Sequence, residues 1–569
     1  MRSLIHNHFI SMKFNRSTHM TKRIVSIPLS TLALTLAVAS PVFAQQPPDA
    51  GQTLQELSAP VSAPSPAQGI IFETSQADVP EPGGAQVELQ SVSFDGHSLF
   101  TTAQLQAVLG DVVGQSLDLA GLLGLTTKIT DFYHAAGYPF ARAYLPPQSI
   151  GDGQLHIEIV EGRFGQVQAK GDADLVVGAQ RFLNPLQRGD VIESKRLERV
   201  SLILEDQPGI QVSPIIRPGQ ELGTGDLDVY VSRKQRIGGD VGVDNHGNRF
   251  SGEYRANVNL YANSPFMFGD QLQLRSILTS ENLWLGSLGY SLPLGDSGLR
   301  AQVSYAHTQY ELGKDFSLLD ATGTAKTSTL GLSYPVLRSQ KANLTLSATY
   351  QYKDLQDKQG ISNSDNQKNS HSLPLSLYFD RRDSLGGGGI SYGTLSWTHG
   401  RLSLDDELKL NDQNANTNGS YSKLNWDLVR LQALSSKTSV FGRFSGQWAD
   451  GNLDSSEGFV LGGANGVRAY PTGEGFGDAG WLGQLEVRYS LKGFTPYAFY
   501  DAGRVKINAK PWDNGNNHRH IAGTGVGVRA ELNGWSTDAT VAWKTHGGDA
   551  ESDSRQRDPR IWITAGYRF

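Results

Sequence analysis

From residue 236 to the C-terminus, apolar and polar residues alternate along short segments, with the period of two that β-strands show. In one such segment the apolar set is Leu485, Val487, Tyr489 and Leu491, and the polar set is Gln484, Glu486, Arg488 and Ser490. A soluble sandwich also alternates, but these polar faces carry small and charged residues, as a wet lumen does. We predict an all-β transmembrane barrel over residues 234–569, with about 16 antiparallel strands.

The last segment of the chain alternates in the same way and ends on an aromatic residue, Phe569, with Tyr567 before it. This ending resembles the C-terminal signature read by the outer-membrane assembly machinery. Hydrophilic stretches at 360–367 and 405–418 predict extracellular loops. Candidate residues for the aromatic girdles of the barrel are Trp284, Tyr290, Tyr350, Trp397, Trp481 and Trp543.

Before the barrel, the pattern indicates two βααββ units, at 87–162 and 163–233. Helical spacing of apolar residues marks Leu122, Leu125 and Ile129 in the first unit, and a second stripe passes through Leu197 and Leu204. Strands are predicted at 87–94, 138–145 and 155–160, and again at 164–169, 210–216 and 227–231. Repetition of one unit is itself a signal, although a generic α+β domain remains the alternative.

The N-terminus predicts a secretory signal peptide over residues 1–44. Lys22 and Arg23 precede an apolar run at 24–39, and residues 42–44 resemble a small-x-small cleavage site. Residues 45–86 follow as a proline-rich, extended linker. Within this linker, residues 52–57 could form one short helix.

Composition removes several classes of function. The chain of 569 residues has no cysteine, which excludes disulfides and thiolate chemistry, and its net charge of -6 gives no support for nucleic-acid binding. The mean hydropathy of -0.34 and the lack of a long apolar run after the N-terminus argue against helical membrane spans. Nucleotide-binding and zinc-protease motifs are missing. We therefore expect no enzyme activity, no cofactor and no metal.

Two short motifs near the end of the barrel are candidates for a functional contact. Residues 467–480 are too rich in glycine for a helix or an unbroken strand, and an arginine there could pair with an inward aspartate of a later strand. A solvated loop and an ordinary strand carboxylate are the alternative. The motif residues are Val467, Arg468, Ala469 and Tyr470 in the loop, and Phe499, Asp501 and Gly503 in the strand.

The first motif resembles the VRGY motif in the lumenal loop of two-partner secretion transporters, the ShlB/FhaC/HecB haemolysin secretion/activation (TpsB) family. The second resembles the F-x-D-x-G strand motif of the same family. Ala469 replaces the family's glycine, and it would be strained if that position required a positive φ. The resemblance implies that the two α+β units are POTRA domains, that the short helix is a plug, and that residues 451–480 form a lumenal loop anchored by Arg468 and Asp501.

The resemblance also implies a function: export, and in some cases activation, of a large haemolysin, adhesin or contact-dependent toxin across the outer membrane by type Vb secretion. The POTRA domains would lie in the periplasm and capture the N-terminal secretion domain of this exoprotein through an exposed strand edge. Outer-membrane lipid and, during biogenesis, the barrel assembly machinery are the other expected partners. The alternatives are an outer-membrane protein insertase, whose relatives usually carry three or more POTRA units, and a diffusion porin.

Overall fold

The computed structural model describes residues 47–58, 64, 71–72 and 83–569. The predicted signal peptide and much of the predicted linker lie outside the described residues. Sixteen strands form a closed barrel, in which the first, Ile237–Asp244, pairs antiparallel with the last, Arg560–Arg568. This closure confirms the predicted barrel and its strand number.

Between these two strands the barrel contains fourteen others, each paired antiparallel with its neighbours. They are Arg255–Asn263, Gln271–Thr279, Trp284–Pro293, Arg300–Glu311, Ala321–Arg338, Ala342–Gln359, Ser364–Asp383, Gly389–Leu404, Gly419–Ala433, Thr438–Ala449, Ala479–Tyr489, Phe494–Lys506, His518–Leu532 and Trp535–His546. We call the end at which the chain enters the first strand the turn end, and the opposite end the loop end. The predicted loop at 360–367 is wrong for residues 364–367. They begin a polar strand that continues past the apolar belt and pairs with residues 356–359.

The two faces of the barrel wall differ as the alternation predicts. Leu485 and Val487 are 51% and 50% exposed on the outer face, whereas Glu486 between them is 3% exposed on the inner face. Five of the six predicted girdle aromatics are exposed, and the exception is Tyr290, whose hydroxyl donates to Asp270 at 2.6 Å. No helix among the described residues is long and apolar enough to cross a membrane.

Two α/β units precede the barrel. The first contains strands Val87–Glu88, Ser91–Asp95, Ser116–Leu117, Arg142–Tyr144 and Gln154–Val160, and helices Thr102–Leu109 and Leu119–Ala135. The second contains strands Arg163–Gly171, Ile210–Pro218 and Thr224–Arg233, and helices Ala173–Leu183 and Ser194–Glu205. The predicted strand at 138–145 is too long, because the chain turns after the helix: the Ala141 amide donates to the Tyr138 carbonyl. The predicted strand at 87–94 is broken at residues 89–90.

A piece of the predicted linker joins the second unit. Residues Ile71–Phe72 pair in parallel with Ile215 and Ile216 of the strand Ile210–Pro218. The linker therefore occupies one edge of this four-stranded sheet.

Two segments fill the barrel interior. The first is the helix Ala50–Glu56, here called the lumenal helix, whose N-cap Asp49 accepts a hydrogen bond from the Gln52 amide at 2.8 Å. The sequence suggested a helix at 52–57, and the Asp49 cap starts it two residues earlier. The second is the lumenal loop, residues 450–478, which leaves Thr438–Ala449 and folds back between the walls before Ala479–Tyr489. A short helix, Asp406–Asn411, lies in another loop.

Candidate functional site in the barrel lumen

Arg468 in the lumenal loop and Asp501 in the strand Phe494–Lys506 form a buried bidentate pair. The Arg468 Nε and Nη2 atoms donate to the two carboxylate oxygens of Asp501 at 2.8 and 2.7 Å. The Arg468 backbone amide also donates to Asp501, at 3.2 Å. Both residues are almost inaccessible to solvent, at 4% and 0% exposed. The contact thus ties both the side chain and the backbone of the loop to the wall.

A third residue, Glu486 of the neighbouring strand Ala479–Tyr489, completes this contact. Its Oε1 accepts from Arg468 Nη1 at 2.6 Å, and it also pairs with Arg488 at 2.7 Å and Arg529 at 3.0 Å. Burial alone would lower the pKa of Arg468, but Asp501 and Glu486 raise it above its usual range. The sequence placed Glu486 only on the polar face of its strand. Its position opposite Phe499 in the register of the two strands brings it to Arg468, and that register is known only from the structure.

The strand motif shapes the seat beneath the arginine. The guanidinium carbon of Arg468 lies 3.5 Å from the ring centroid of Phe499, a cation–π contact. Gly503 leaves room for the loop, because a Cβ there would lie 2.3 Å from the Leu461 side chain and 2.6 Å from the Trp481 carbonyl. Phe499, Asp501 and Gly503 therefore all face the loop.

The other three loop-motif residues are fully buried around Arg468. The Val467 amide donates to the Leu461 carbonyl at 2.9 Å, which closes the turn of the loop. The Tyr470 hydroxyl donates to the carbonyls of His546 and Gly548 at 2.8 and 2.9 Å. Ala469 does not adopt a positive φ, so the conditional strain does not arise, and its methyl group faces Gly523.

The first arm of the loop is held by a second set of charges. The buried Glu457 carboxylate accepts from Lys353 Nζ at 2.6 Å and pairs with Lys423 Nζ at 2.8 Å. Burial would raise the pKa of Glu457, but the two ammonium groups lower it to about 2. The loop therefore carries its charge at any physiological pH.

The lumenal helix shares partners with the loop. Lys368 Nζ donates both to the helix cap Asp49, at 3.0 Å, and to Asp454 of the loop, at 2.7 Å. Gly51 permits the close approach of the two segments, since a Cβ there would lie 2.2 Å from Ser455 Oγ and 2.4 Å from the Ser456 nitrogen. Helix and loop are thus locked to the same wall and to each other.

The helix ends on Glu56, whose carboxyl forms no ion pair with a described side chain, although the charge of Arg255 acts on it. Glu56 Oε1 accepts from the amide nitrogens of Gln52 and Asn248 at 2.9 and 3.1 Å. Burial raises the pKa of Glu56 to about 7, against smaller opposing effects from these hydrogen bonds. Docking of the helix therefore favours a protonated Glu56.

The C-terminal residues lie at the turn end. The Phe569 backbone exchanges hydrogen bonds with Gly239 at 3.1 and 3.2 Å, and its ring is 46% exposed. The Tyr567 ring contacts those of Trp535 and Phe569. Within the described residues no group of histidine and acidic side chains could hold a metal ion. The described lumen thus holds two segments of its own chain through buried ion pairs.

Comparisons with known proteins agree with this architecture. The family model "Haemolysin secretion/activation protein ShlB/FhaC/HecB" matches residues 223–530, and the model "POTRA domain, ShlB-type" matches residues 87–162. The heme/hemopexin transporter protein HuxB of Haemophilus influenzae is 26% identical over 501 residues, which cover 84% of this chain and 88% of HuxB.

The outer membrane transporter CdiB of Escherichia coli O6:K15:H31 is 27% identical over 271 residues, which cover 46% of this chain and 45% of that protein. The solved structure of CdiB from Escherichia coli matches with a TM-score of 0.70 at 21% identity, over 91% of this chain and 95% of that one. At this identity the structural match shows a shared fold. The family model spans more than half of the chain, so the chain belongs to the ShlB/FhaC/HecB haemolysin secretion/activation family and is an outer-membrane transporter of two-partner secretion.

Proposed function

We propose that the protein exports one large exoprotein, of the haemolysin, adhesin or contact-dependent toxin class, and that the lumenal helix and loop close the barrel between export events. The observation that carries this proposal is the shared lysine: Lys368 holds both segments in place at once. A porin keeps its lumen open to solutes, whereas here two segments of the chain fill it. The protein acts as a conduit rather than an enzyme.

Capture of the exoprotein is assigned to the two α/β units, which would lie in the periplasm. An edge strand binds an extended peptide through its main chain, largely without regard to sequence. The strand Ile210–Pro218 already accepts residues 71–72 in this way. We propose that the exoprotein's N-terminal secretion domain takes this edge, displaces the linker and so pulls on the lumenal helix.

Export then requires no nucleotide. The client would pass through the barrel unfolded and fold outside, and folding would prevent return. Arg468, with Asp501 and Glu486, would keep the loop against the wall while the rest of the lumen clears. The assembly machinery would insert the barrel through its C-terminal strand with Tyr567 and Phe569.

The test is a secretion assay in cells that carry the gene and its neighbour, where that neighbour encodes a large exoprotein with a signal peptide. Deletion of the transporter should abolish the exoprotein in the medium, and the level of other outer-membrane barrels should not change. A fall in those other barrels, with the exoprotein still secreted, would instead support the insertase alternative.

A further inference from the structure

Three basic side chains form an exposed patch on the outer face of the barrel. Arg504 and His520 are register partners on neighbouring strands, and the ring centroids of His520 and His546 are 4.5 Å apart. All three residues are exposed. We call them the outer basic patch.

The patch lies at the border between the apolar belt and the polar rim of the loop end. On the same strand as Arg504, Tyr500 is 50% exposed and lies four residues closer to the turn end. Trp481, the register partner of Arg504, and Trp543 are also exposed. Since exposed aromatic residues mark the headgroup level of a membrane, the patch faces the headgroups of the outer lipid leaflet.

The charge of the patch is not balanced by the protein. No carboxylate among the described side chains pairs with Arg504, whereas Arg519, which faces inward nearby, bonds to Glu474 at 2.8 Å. In the loop that follows His546, Asp549 pairs with Lys544, whose Nζ lies 3.7 Å from the carboxylate. An unpaired cation beside lipid is costly unless an anion joins it.

We propose that the outer basic patch binds the phosphate of an anionic lipid headgroup, that of a phosphorylated glycolipid in the outer leaflet. Guanidinium groups bind phosphate with two parallel hydrogen bonds, and the two imidazoles can each add an N–H donor. The lipid is favoured over free phosphate because the flanking Trp481, Tyr500 and Trp543 offer surface for its apolar part.

The outer basic patch lies on strands that also contact the lumenal loop. The backbone carbonyl of His546 accepts the Tyr470 hydroxyl at 2.8 Å, and Phe494–Lys506 carries both Arg504 and Asp501. A bound headgroup therefore braces the strand ends against which the lumenal loop docks. The lipid site depends only on the location of the barrel in the outer membrane. Its test is therefore independent of which exoprotein is exported.

A second exposed basic group on the barrel wall provides a matched control. Arg401 and His371 are register partners, and His399 precedes Arg401 by two residues on the same exposed face. Here, however, one nitrogen of each imidazole is already bonded, which leaves fewer free donors than in the outer basic patch: His371 Nδ1 bonds with Tyr350 Oη at 2.6 Å and His399 Nδ1 with Ser422 Oγ at 3.0 Å. The triple variant Arg401→Gln, His371→Gln, His399→Gln thus removes the same groups from the wall without touching the proposed site.

The experiment is native mass spectrometry of the full-length protein, titrated with bisphosphorylated lipid A, dephosphorylated lipid A or inorganic phosphate. Wild type and the control triple variant should bind bisphosphorylated lipid A alike, and Arg504→Gln, His520→Gln, His546→Gln should weaken binding by about tenfold or more. Dephosphorylated lipid A should bind weakly to all three proteins. Heat-modifiable migration in gels verifies that each barrel has folded.

Equal lipid A binding by wild type and the Arg504 triple variant would overturn the proposal. An equal loss in both triple variants would also overturn it, because the effect would then reflect the charge of the wall in general. If inorganic phosphate bound as tightly as lipid A, the ligand of the patch would be a free anion, and the lipid proposal would be wrong.

Discussion

The guanidinium carbon of Arg468 lies over the ring of Phe499, 3.5 Å from its centroid. Phe499 precedes Asp501 by two residues on the same inward face, so one strand supplies both the ring and the carboxylate. A planar, permanently charged group fits such a seat, and a lysine ammonium does not. The geometry explains why an arginine stands at this position of the loop.

Glu486 is predicted to be as important to the loop as Asp501. Glu486→Gln removes the negative charge shared by Arg468, Arg488 and Arg529, and loss of one partner of a buried pair commonly costs about 3–5 kcal/mol. The lumenal loop of this variant should be cut by added protease at least about tenfold faster than that of wild type, in a barrel that still assembles.

The control for Glu486 is Asp244→Asn. Asp244 pairs with Arg255 at 2.7 Å on the wall of the same barrel, and no hydrogen bond or ion pair among the described residues joins either of them to the lumenal loop. If Asp244→Asn exposed the loop as strongly as Glu486→Gln, the network around Arg468 would have no special role.

Ala469 and Gly523 are predicted to be coupled. A Cβ at residue 523 would lie 2.4 Å from the Ala469 Cβ and 3.0 Å from the Trp543 carbonyl. Gly523→Ala should therefore loosen the loop and lower secretion severalfold. Addition of Ala469→Gly, which removes the nearer contact, should restore part of the loss. Identical secretion by Gly523→Ala and the double variant would show that the two residues act independently.

The barrel could be predicted from the sequence because the inward or outward direction of each side chain follows from its position along a single strand. Alternation along one strand reports which face meets lipid, and Leu485 and Glu486 point as expected. The residues alone allowed both an Arg468–Asp501 pair and a solvated loop, and the resemblance of two motifs to a known family favoured the pair. The partners Lys353, Lys368 and Lys423 were not found, because they lie on three different strands and only the closed barrel brings them to Glu457 and Asp454.

The location of the lumenal helix inside the barrel also could not be predicted from the sequence. A segment of seven residues has little stability alone, and Ala50–Glu56 exists because Asp49 caps it and the wall binds it. The strand Arg142–Tyr144 is shorter than the predicted strand at 138–145. Residues 138–141 have the composition of a strand, but they form the turn that follows the helix.

Gly51 is predicted to be essential for closure of the barrel. Gly51→Ala places a methyl group against the Ser456 backbone nitrogen, which cannot move without the loop. The helix should undock, and the single-channel open probability in planar bilayers should rise severalfold. Gly124→Ala is the control, since that helical glycine of the first α/β unit has open space around its Cβ position. An unchanged open probability in Gly51→Ala would contradict the close contact.

Opening of the channel is predicted to depend on pH through Glu56. The pKa of Glu56 is about 7 in the docked helix, against an ordinary value of 4.5. The docked state then binds the extra proton, so docking is strongest below about pH 4.5 and weakens as the pH rises to about 7, by roughly 3 kcal/mol in total. Open probability should accordingly rise between about pH 4.5 and about pH 7.

Glu56→Gln should remove most of this dependence. A smaller slope should remain from Asp478 of the loop, because burial raises the pKa of Asp478 to about 6. Asp111→Asn, which changes an exposed carboxyl outside the barrel, should keep the full slope. A Glu56→Gln channel with the wild-type pH profile would assign the titration to another group.

The role of Arg468 in export is tested most directly by measuring the exoprotein secreted by cells with the Arg468→Ala transporter. The amount of folded, heat-modifiable barrel is measured in the same cells. The tether of Arg468 to Asp501 and Glu486 predicts a loss of about tenfold or more in exported exoprotein, because loss of one partner of a buried pair costs about 3–5 kcal/mol. The amount of folded barrel should be normal, because the tether lies outside the strand ladder. Wild-type export from a folded Arg468→Ala transporter would contradict the account.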